Sequence, residues 1–169
     1  MKNAKLLFSN IKKEHLFLIK DWRNQQRDIL RQVKLLTDGD QKKWFAKIQK
    51  DKTQVLFSIT EDKKLIGYCG LTNIDYNNKR AEISFLENPK RADNKEMYEK
   101  DFLVVLQKLT DYGFSILKLH KIFAETYDFR KNHMKILEKY GFKKEAVLKK
   151  HYFKKSKWCD AMVHAIFAK

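Results

Sequence analysis

Three runs rich in β-branched and aromatic residues lie close together in the middle of the chain: QVLFSIT (54–60), LIGYCGLTNID (65–75) and RAEISFL (80–86). The connections between them, Glu61-Asp62-Lys63-Lys64 and Tyr76-Asn77-Asn78-Lys79, are short and polar, so the pattern predicts three antiparallel neighbours joined by turns. Upstream, the apolar run at 4–8 predicts a first strand. Residues 14–24 carry Leu16, Ile19 and Trp22 at helical spacing. Residues 30–36 follow neither period, but Thr37-Asp38-Gly39-Asp40 forms a capping cluster ahead of Trp44 and Ile48, four apart, and predicts a second helix. Downstream, Phe102, Leu106 and Leu109 share one helical face over about 94–114, ending at Tyr112-Gly113-Phe114. The stretch KIFAETYDFRKNHMKILEKYGF (121–142) then passes from an apolar strand through a short polar connection into a helix that stops at Gly-Phe. Apolar residues recur in EAVLKKHYF (145–153) and WCDAMVHAIFA (158–168) around KKSK, predicting a closing hairpin. The order is strand, two helices, three antiparallel strands, helix, strand, helix and two strands, an α+β arrangement on one mixed sheet.

Composition narrows this little. A chain of 169 residues, 43% hydrophobic, suits one domain with a real core. One proline and five glycines leave no linker-like stretch. The first twenty-odd residues break their apolar positions with charges, which argues against a signal peptide or a membrane span and for a cytoplasmic protein. Cys69 and Cys159 stand in apolar sequence without a CxxC or Cys/His cluster, so reduced core thiols and no metal are expected. The net charge of +16 attracts polyanions. Its lysines are scattered as doublets rather than gathered in an arginine-rich block, which fits a solvated surface, makes nucleic acid a poor candidate and leaves phosphorylated small molecules as the favoured partners.

The motifs LIGYCGL, AEISFL, LKLHKIFAETY and ILEKYGF, in this order of elements, resemble the GNAT superfamily of acyl-CoA-dependent N-acyltransferases, along nearly the whole chain. The similarity is greatest to the branch holding ribosomal-protein N-terminal, spermidine and nucleotide-amino-sugar acetyltransferases. The resemblance implies a single acetyltransferase domain over 1–169 with a mostly antiparallel central sheet flanked by helices, and an acyl-CoA cleft where two central strands splay apart. It implies acetyl-CoA as co-substrate and no metal. On this reading the backbone around Phe85, Leu86 and Glu87 pairs with the pantetheine arm, and Thr126-Tyr127 forms the opposite wall.

Two departures from the family pattern stand out. The usual Arg/Gln-x-x-Gly-x-Gly/Ala phosphate loop is replaced by ENPKRADNKEMYEKDF, with no glycine. Counting back from Tyr112-Gly113-Phe114 places that motif nearer 97–102, as though several residues were inserted, and leaves helix-start amides with Arg91, Lys95 or Lys100 as phosphate contacts. Counting back from Gly141-Phe142 puts Arg130 where a cofactor-contacting Asn is usual, His133 where a small residue is usual and Leu137 where a general-acid Tyr is frequent.

Glu82, on a strand face with Ser84 and Leu86, is the candidate base, with a structural pairing to a residue such as Arg23 as the bland alternative. Tyr127 and His133 are the other catalytic candidates, and Arg130 and Thr126 join the cofactor set. The resemblance implies an acceptor pocket between the first helices, the connection over 37–44 and the final hairpin, drawing on Trp22, Arg23, Asn24, Trp44, His151 and Tyr152. The expected reaction moves acetyl from acetyl-CoA to a primary amine by direct attack in a ternary complex. A nucleotide-linked amino sugar suits the basic surface better than a polyamine. A protein N-terminal acetyltransferase and a non-catalytic RNA- or protein-binding module stay open as alternatives. A monomer or homodimer without membrane association is expected.

Overall fold

A computed structural model describes residues 5–169. Seven strands form one sheet in the order β1-β2-β3-β4-β5-β7-β6. In chain order these are β1 (Leu7–Asn10), α1 (Leu16–Gln25), α2 (Asp38–Ile48), β2 (Val55–Glu61), β3 (Lys64–Asp75) and β4 (Arg80–Glu87). A single turn α3 (Pro89–Ala92), α4 (Lys95–Asp111), β5 (Lys121–Tyr127), α5 (Lys131–Tyr140), β6 (Lys143–Lys154) and β7 (Lys157–Phe167) follow. Every strand pair is antiparallel except β4–β5. The predicted order of elements is therefore found, with β1 beginning at Leu7 and residue 4 outside the described residues.

Local chemistry sets the element ends. Thr37 caps α2 reciprocally with Asp40, its hydroxyl accepting from Asp40 N at 3.1 Å while Asp40 Oδ2 accepts from Thr37 N at 3.0 Å. Those bonds and Lys34 hold the Asp40 carboxyl down at about 2. Asn94 caps α4 by accepting from Met97 N at 3.0 Å. The helix thus starts at Lys95, so residues 97–102 are its first turns and not a phosphate loop; the connection from β4 is 88–94. Gly141 ends α5 at φ 124, a conformation that disfavours side chains.

The sheet has one apolar layer on each face. On one side α4 and α5 bury Phe102, Val105, Leu106, Leu109, Ile136 and Leu137 against Leu71, Ala81, Ile122 and Ala124. The helical spacing of the α4 set is the pattern read from sequence. On the other side α1 packs Leu16, Ile19 and Trp22 on Tyr68 and Leu86, with Trp44, Phe45 and Ile48 of α2 against them. Successive β4 residues therefore serve opposite layers, as strand alternation requires. β6 lies at the sheet edge and carries Lys143, Lys144, Lys149, Lys150 and Lys154, a charged edge that discourages pairing with other chains and accounts for part of the excess charge.

Leu106 is fully buried in the α4 layer. Leu106→Ala is expected to cost ~2–5 kcal/mol, the range for leucine deletions in packed cores. Urea unfolding reads this as a lower midpoint with an unchanged slope.

Candidate active site

β4 and β5 pair for only three residues, Arg80 to Glu82 against Lys121 to Phe123. Beyond them β4 continues to Glu87 bonded to β3 alone, and β5 to Tyr127 bonded to β7 alone. The facing edges, 83–87 and 124–127, present backbone N–H and C=O groups to a gap and not to each other. Such groups demand partners, so the gap suits an extended chain that carries amides. A cavity of about 250 Å³ occupies it, walled by Glu82, Ser84 and Phe85 on one side and Glu125 and Thr126 on the other. Thr126 Oγ1 is buried without a protein partner, a polar atom left for something that enters.

One end of this cavity is acidic but capped by a cation. Arg31 Nη1 donates to Glu82 Oε2 at 3.2 Å, Nη2 donates to Glu82 Oε1, and Nη2 stands 3.5 Å from Glu125 Oε1. Asn73 Nδ2 donates to Glu82 Oε2 at 2.8 Å. Asn73 reaches it because β3 bulges there, slipping register against β4 with Asn73 at φ 51. Asparagine tolerates that left-handed conformation better than its β-branched neighbours. The Tyr152 hydroxyl donates to Glu125 Oε1. Burial works against the Arg31 charge, yet the hydrogen bonds and charge of Glu82, with Glu125 behind them, outweigh it and raise the guanidinium above its ordinary value.

The other end opens past Arg130 and His133 into a cavity of about 670 Å³. Its walls include Lys95 and Lys131, the first residues of α4 and α5, together with Gln26 and Tyr98. Helix-start amides and three cationic side chains, Lys95, Arg130 and Lys131, outweigh the two carboxylates there, Asp93 and the Lys155-paired Asp28, and suit an anion. Arg130 Nη2 donates to the Tyr98 hydroxyl at 3.1 Å, and that hydroxyl lies 2.8 Å from His133 Nδ1. A guanidinium can only donate, so the phenol oxygen accepts from Arg130 and gives its hydrogen to His133 Nδ1, leaving the imidazole proton on Nε2. Burial, then Arg130 and His164, push His133 well below its ordinary value, which keeps the ring neutral.

The β4–α4 connection is braced by charge where glycines were expected. Arg91 donates from Nη1 to Glu61 Oε2 at 2.6 Å, from Nε to Glu87 Oε1 at 3.1 Å, and from Nε to Asp101 Oδ2. Three carboxylates around one guanidinium leave an excess of negative charge. Burial and the adjacent Asp101 accordingly push the Glu87 carboxyl up to about 9, against the pull of Arg91. Glu87 Oε2 is buried with no partner for an ionised oxygen; a proton there would donate to Asp101.

Of the residues predicted from sequence, Glu82, Phe85, Thr126, Arg130 and His133 meet along the gap, and Lys95 lies in the adjoining cavity. Glu82 is paired with Arg31 and not with Arg23. Arg91 is not placed as a phosphate contact, because its donors are spent on Glu61, Glu87 and Asp101. Leu86 points into the α1 layer, and the Glu87 carbonyl accepts from Gln26 Nε2 at 2.7 Å. Trp22 is core, and Trp44 packs edge-on against Tyr68 with Arg23 over its ring. Asn24 fastens the backbone of Leu36 through both its amide atoms. These four therefore build the scaffold beneath the cleft and do not line it. Tyr127 donates to Leu30 O at 3.2 Å and, with Tyr152, lines a separate cavity of about 390 Å³. His151 is exposed against the edge of Tyr152.

Arg31, Asn73, Tyr98 and Glu125 were not among the sequence candidates. Asn73 left a usable signal, a poor strand former inside an otherwise strong strand run, which marks a bulge. Arg31 lay in the one segment without a period. Among the described residues no group of three or more His, Cys, Asp or Glu is placed to hold a metal, and no helix is long and apolar enough to cross a membrane.

Residues 9–163 match the family model described as acetyltransferase (GNAT) domain. The uncharacterized N-acetyltransferase YoaA of Bacillus subtilis is 30% identical over 124 residues, 72% of this chain and 67% of that protein. The uncharacterized N-acetyltransferase p20 of Bacillus licheniformis is 28% identical over 144 residues, 85% of this chain and 72% of that one. The fold is shared with spermidine N-acetyltransferase from Vibrio cholerae, solved in complex with CoA and spermine, at a TM-score of 0.85 and 22% identity, over 96% of this chain and 95% of that chain.

The Glu87 carboxyl makes stability depend on pH with a definite sign. Its folded value, about 9, lies above its ordinary 4.5, so the folded state keeps a proton that the unfolded chain releases. Its contribution is complete below 4.5 and is lost as pH rises through 9. Thermal unfolding across that window is expected to show wild-type Tm falling with pH, and Glu87→Gln, neutral throughout, falling less and lying above wild type at the alkaline end. Parallel profiles for the two proteins would exclude a protonated Glu87.

Proposed function

The chain belongs to the GNAT acetyltransferase family, N-acetyltransferases that use acetyl-CoA, and on that premise we propose that it acetylates the primary amine of a small anionic acceptor, a nucleotide-linked amino sugar. The observation that carries the reading is the parting of β4 and β5 after Glu82, with a carboxylate at one end of the gap and a basic, helix-start-lined cavity at the other.

Acetyl-CoA fits these residues. The unpaired edges of β4 and β5 and the orphaned Thr126 hydroxyl suit the amide-bearing arm. Lys95, Arg130, Lys131 and the starts of α4 and α5 suit its phosphates. When bound, it supplies an activated acetyl group. The β4 backbone N–H groups at the gap would donate to the thioester oxygen as charge develops on it. Glu82 receives the acceptor ammonium and removes its proton, directly or through water, since only the neutral amine has a lone pair to attack. Asn73, donating to Glu82 Oε2, helps to hold the base in place. Leu137 is fully buried and has no proton to give. Arg130 and His133 line the gap, with Tyr98 bonded to both from the adjoining cavity, so the leaving thiolate departs toward positive charge, and solvent supplies its proton.

The acceptor side favours an anion. The cavity of about 390 Å³ next to the transfer gap is lined by Arg27, Arg31, Lys154 and Lys155 with the rings of Tyr127, Tyr152 and Phe153. Its one carboxylate, Asp28, is paired to Lys155 at 2.8 Å. Four cations around aromatic faces suit a diphosphate joined to a base and repel a polycation.

The test is a product assay with acetyl-CoA and a panel of UDP- or dTDP-linked amino sugars, spermidine and N-terminal peptides. Acetylation of the nucleotide-linked sugars is expected; acetylation confined to spermidine or to peptides would overturn the acceptor assignment. Glu82→Gln keeps the shape and removes the base. It is expected to lower kcat/KM by about 10²–10⁴, the usual worth of a positioned acid or base, with acetyl-CoA still binding in a thermal-shift titration. An unchanged rate would remove Glu82 from the mechanism.

A further inference from the structure

Arg31 is, among the described residues, the only one common to the linings of the transfer gap and of the basic aromatic cavity beside it. Its backbone neighbourhood is tied down. Leu30 O accepts from Lys154 Nζ at 2.6 Å and from the Tyr127 hydroxyl at 3.2 Å, while Gln32 Nε2 donates to Asn24 Oδ1 at 2.8 Å. The side chain itself is 43% exposed, although it bridges Glu82 and Glu125, whose side chains are 9% and 17% exposed. A guanidinium thus occupies the place where the acceptor ammonium must go, on a long side chain free to swing from a fixed base.

We propose that Arg31 selects acceptors that carry both an ammonium and a phosphate, by exchanging Glu82 and Glu125 for the acceptor's phosphate when the ammonium takes its place. This rests on the acetyl-transfer reading of the gap. Two carboxylates around one guanidinium cannot hold a second cation without moving the first. An incoming ammonium is matched to the carboxylates only if the guanidinium leaves. The basic aromatic cavity that Arg31 also lines already holds Arg27, Lys154 and Lys155, with the carboxylate of Asp28 there taken by Lys155, so a guanidinium turned that way meets net like charge unless an anion is present. A phosphate on the same molecule supplies that anion and makes the exchange neutral in charge. A free amine without an anion leaves Arg31 unpaired next to three cations, and a polyamine adds further positive charge.

The class is an amine bearing phosphate. Sugar monophosphates and nucleotide-diphosphate sugars share that chemistry, and the experiment separates them. Steady-state kinetics with the full chain and acetyl-CoA would compare one amino sugar as its UDP derivative, its 1-phosphate and its methyl glycoside, with spermidine as a fourth acceptor. Wild type is expected to prefer the phosphate-bearing forms over the methyl glycoside by about ten- to a hundredfold in kcat/KM, the worth of a charge-assisted hydrogen bond. A further gain from 1-phosphate to UDP would identify the nucleotide form as the one the cavity was built for. Arg31→Gln is expected to collapse that ratio to within about threefold, mostly through KM for the phosphate-bearing acceptor, and Arg31→Lys, which keeps a cation without the planar fork, to restore part of it. An unspecific structural role would lower all four acceptors together and leave the ratio intact. An unchanged ratio in Arg31→Gln, or no preference in wild type, overturns the selector while leaving acetyl transfer standing. Failure of wild type to release CoA with any of the four would instead overturn the transfer reading and the selector with it. Should Arg31→Gln fail to fold, the ratio in Arg31→Lys decides, since a selector is expected to give a reduced ratio and a mere structural residue an unaltered one.

Discussion

Three residues of parallel pairing between β4 and β5 join the two halves of the sheet, and the site depends on the fact that the pairing then stops. Had the strands stayed together, their backbone groups would satisfy one another and there would be no gap. Each strand can leave its neighbour because it is held on its other edge, β4 by β3 as far as Glu87 and β5 by β7 as far as Tyr127. Both faces are covered, by α4 and α5 on one side and α1 and α2 on the other. The parting thus costs a few hydrogen bonds locally and creates a slot lined by donors and acceptors at fixed spacing. A ligand that carries its own amides recovers those bonds, which is why an empty slot of this kind is informative about what enters it.

How much of this was legible in the sequence follows the distance over which each interaction acts. Helices and strands were readable because their signals are local: the α4 stripe of Phe102, Leu106 and Leu109, the Thr37–Asp40 cap, and the turn residues between β2, β3 and β4. Glu82 was readable as a site residue because strand alternation gave it a face. Its partner was not. Arg31 lies 51 residues away, in a segment held by cross-links from Lys154, Tyr127 and Asn24 and not by any repeating pattern. Arg91 misled for a related reason. An arginine in a loop that should bind phosphate reads as a phosphate ligand, and only the fold reveals that Glu61, Glu87 and Asp101 have already claimed it. Trp22 and Trp44 were assigned to the acceptor pocket through the family resemblance, whereas large aromatic rings more often supply core, as they do here.

The absent glycines and the Arg91 cluster belong to one arrangement. A glycine-rich turn brings backbone N–H groups close to phosphate because nothing projects from it. Here the connection instead carries α3, an Asn88 side chain accepting from Lys90 N at 3.0 Å, and the Asn94 cap. Arg91 ties this rigid turn to β2, to β4 and to α4 at once, through Glu61, Glu87 and Asp101. The turn is therefore fixed by side chains whose polar atoms are already partnered within the protein. Anion recognition is left to the starts of α4 and α5 and to the cations Lys95, Arg130 and Lys131.

Charge along the cleft then alternates. The α4–α5 end is positive, the transfer point is negative through Glu82 and Glu125, and the acceptor end is positive again through Arg27, Arg31, Lys154 and Lys155. A formal +16 spread evenly would make every part of the surface attractive to anions and say nothing about order. An acidic centre between two basic ends is more demanding, because it favours anion, amine and anion in succession. Under the proposed reading that succession is met by the phosphates of one substrate, the ammonium of the other and the phosphate that the second substrate carries. The same profile explains why Arg31 must sit on Glu82 when nothing else does. Two carboxylates buried between strands with no cation near them would repel each other and weaken the sheet at the very point where β4 and β5 let go. The guanidinium offsets part of that negative charge, and under the proposed reading a cation brought by substrate takes over the task.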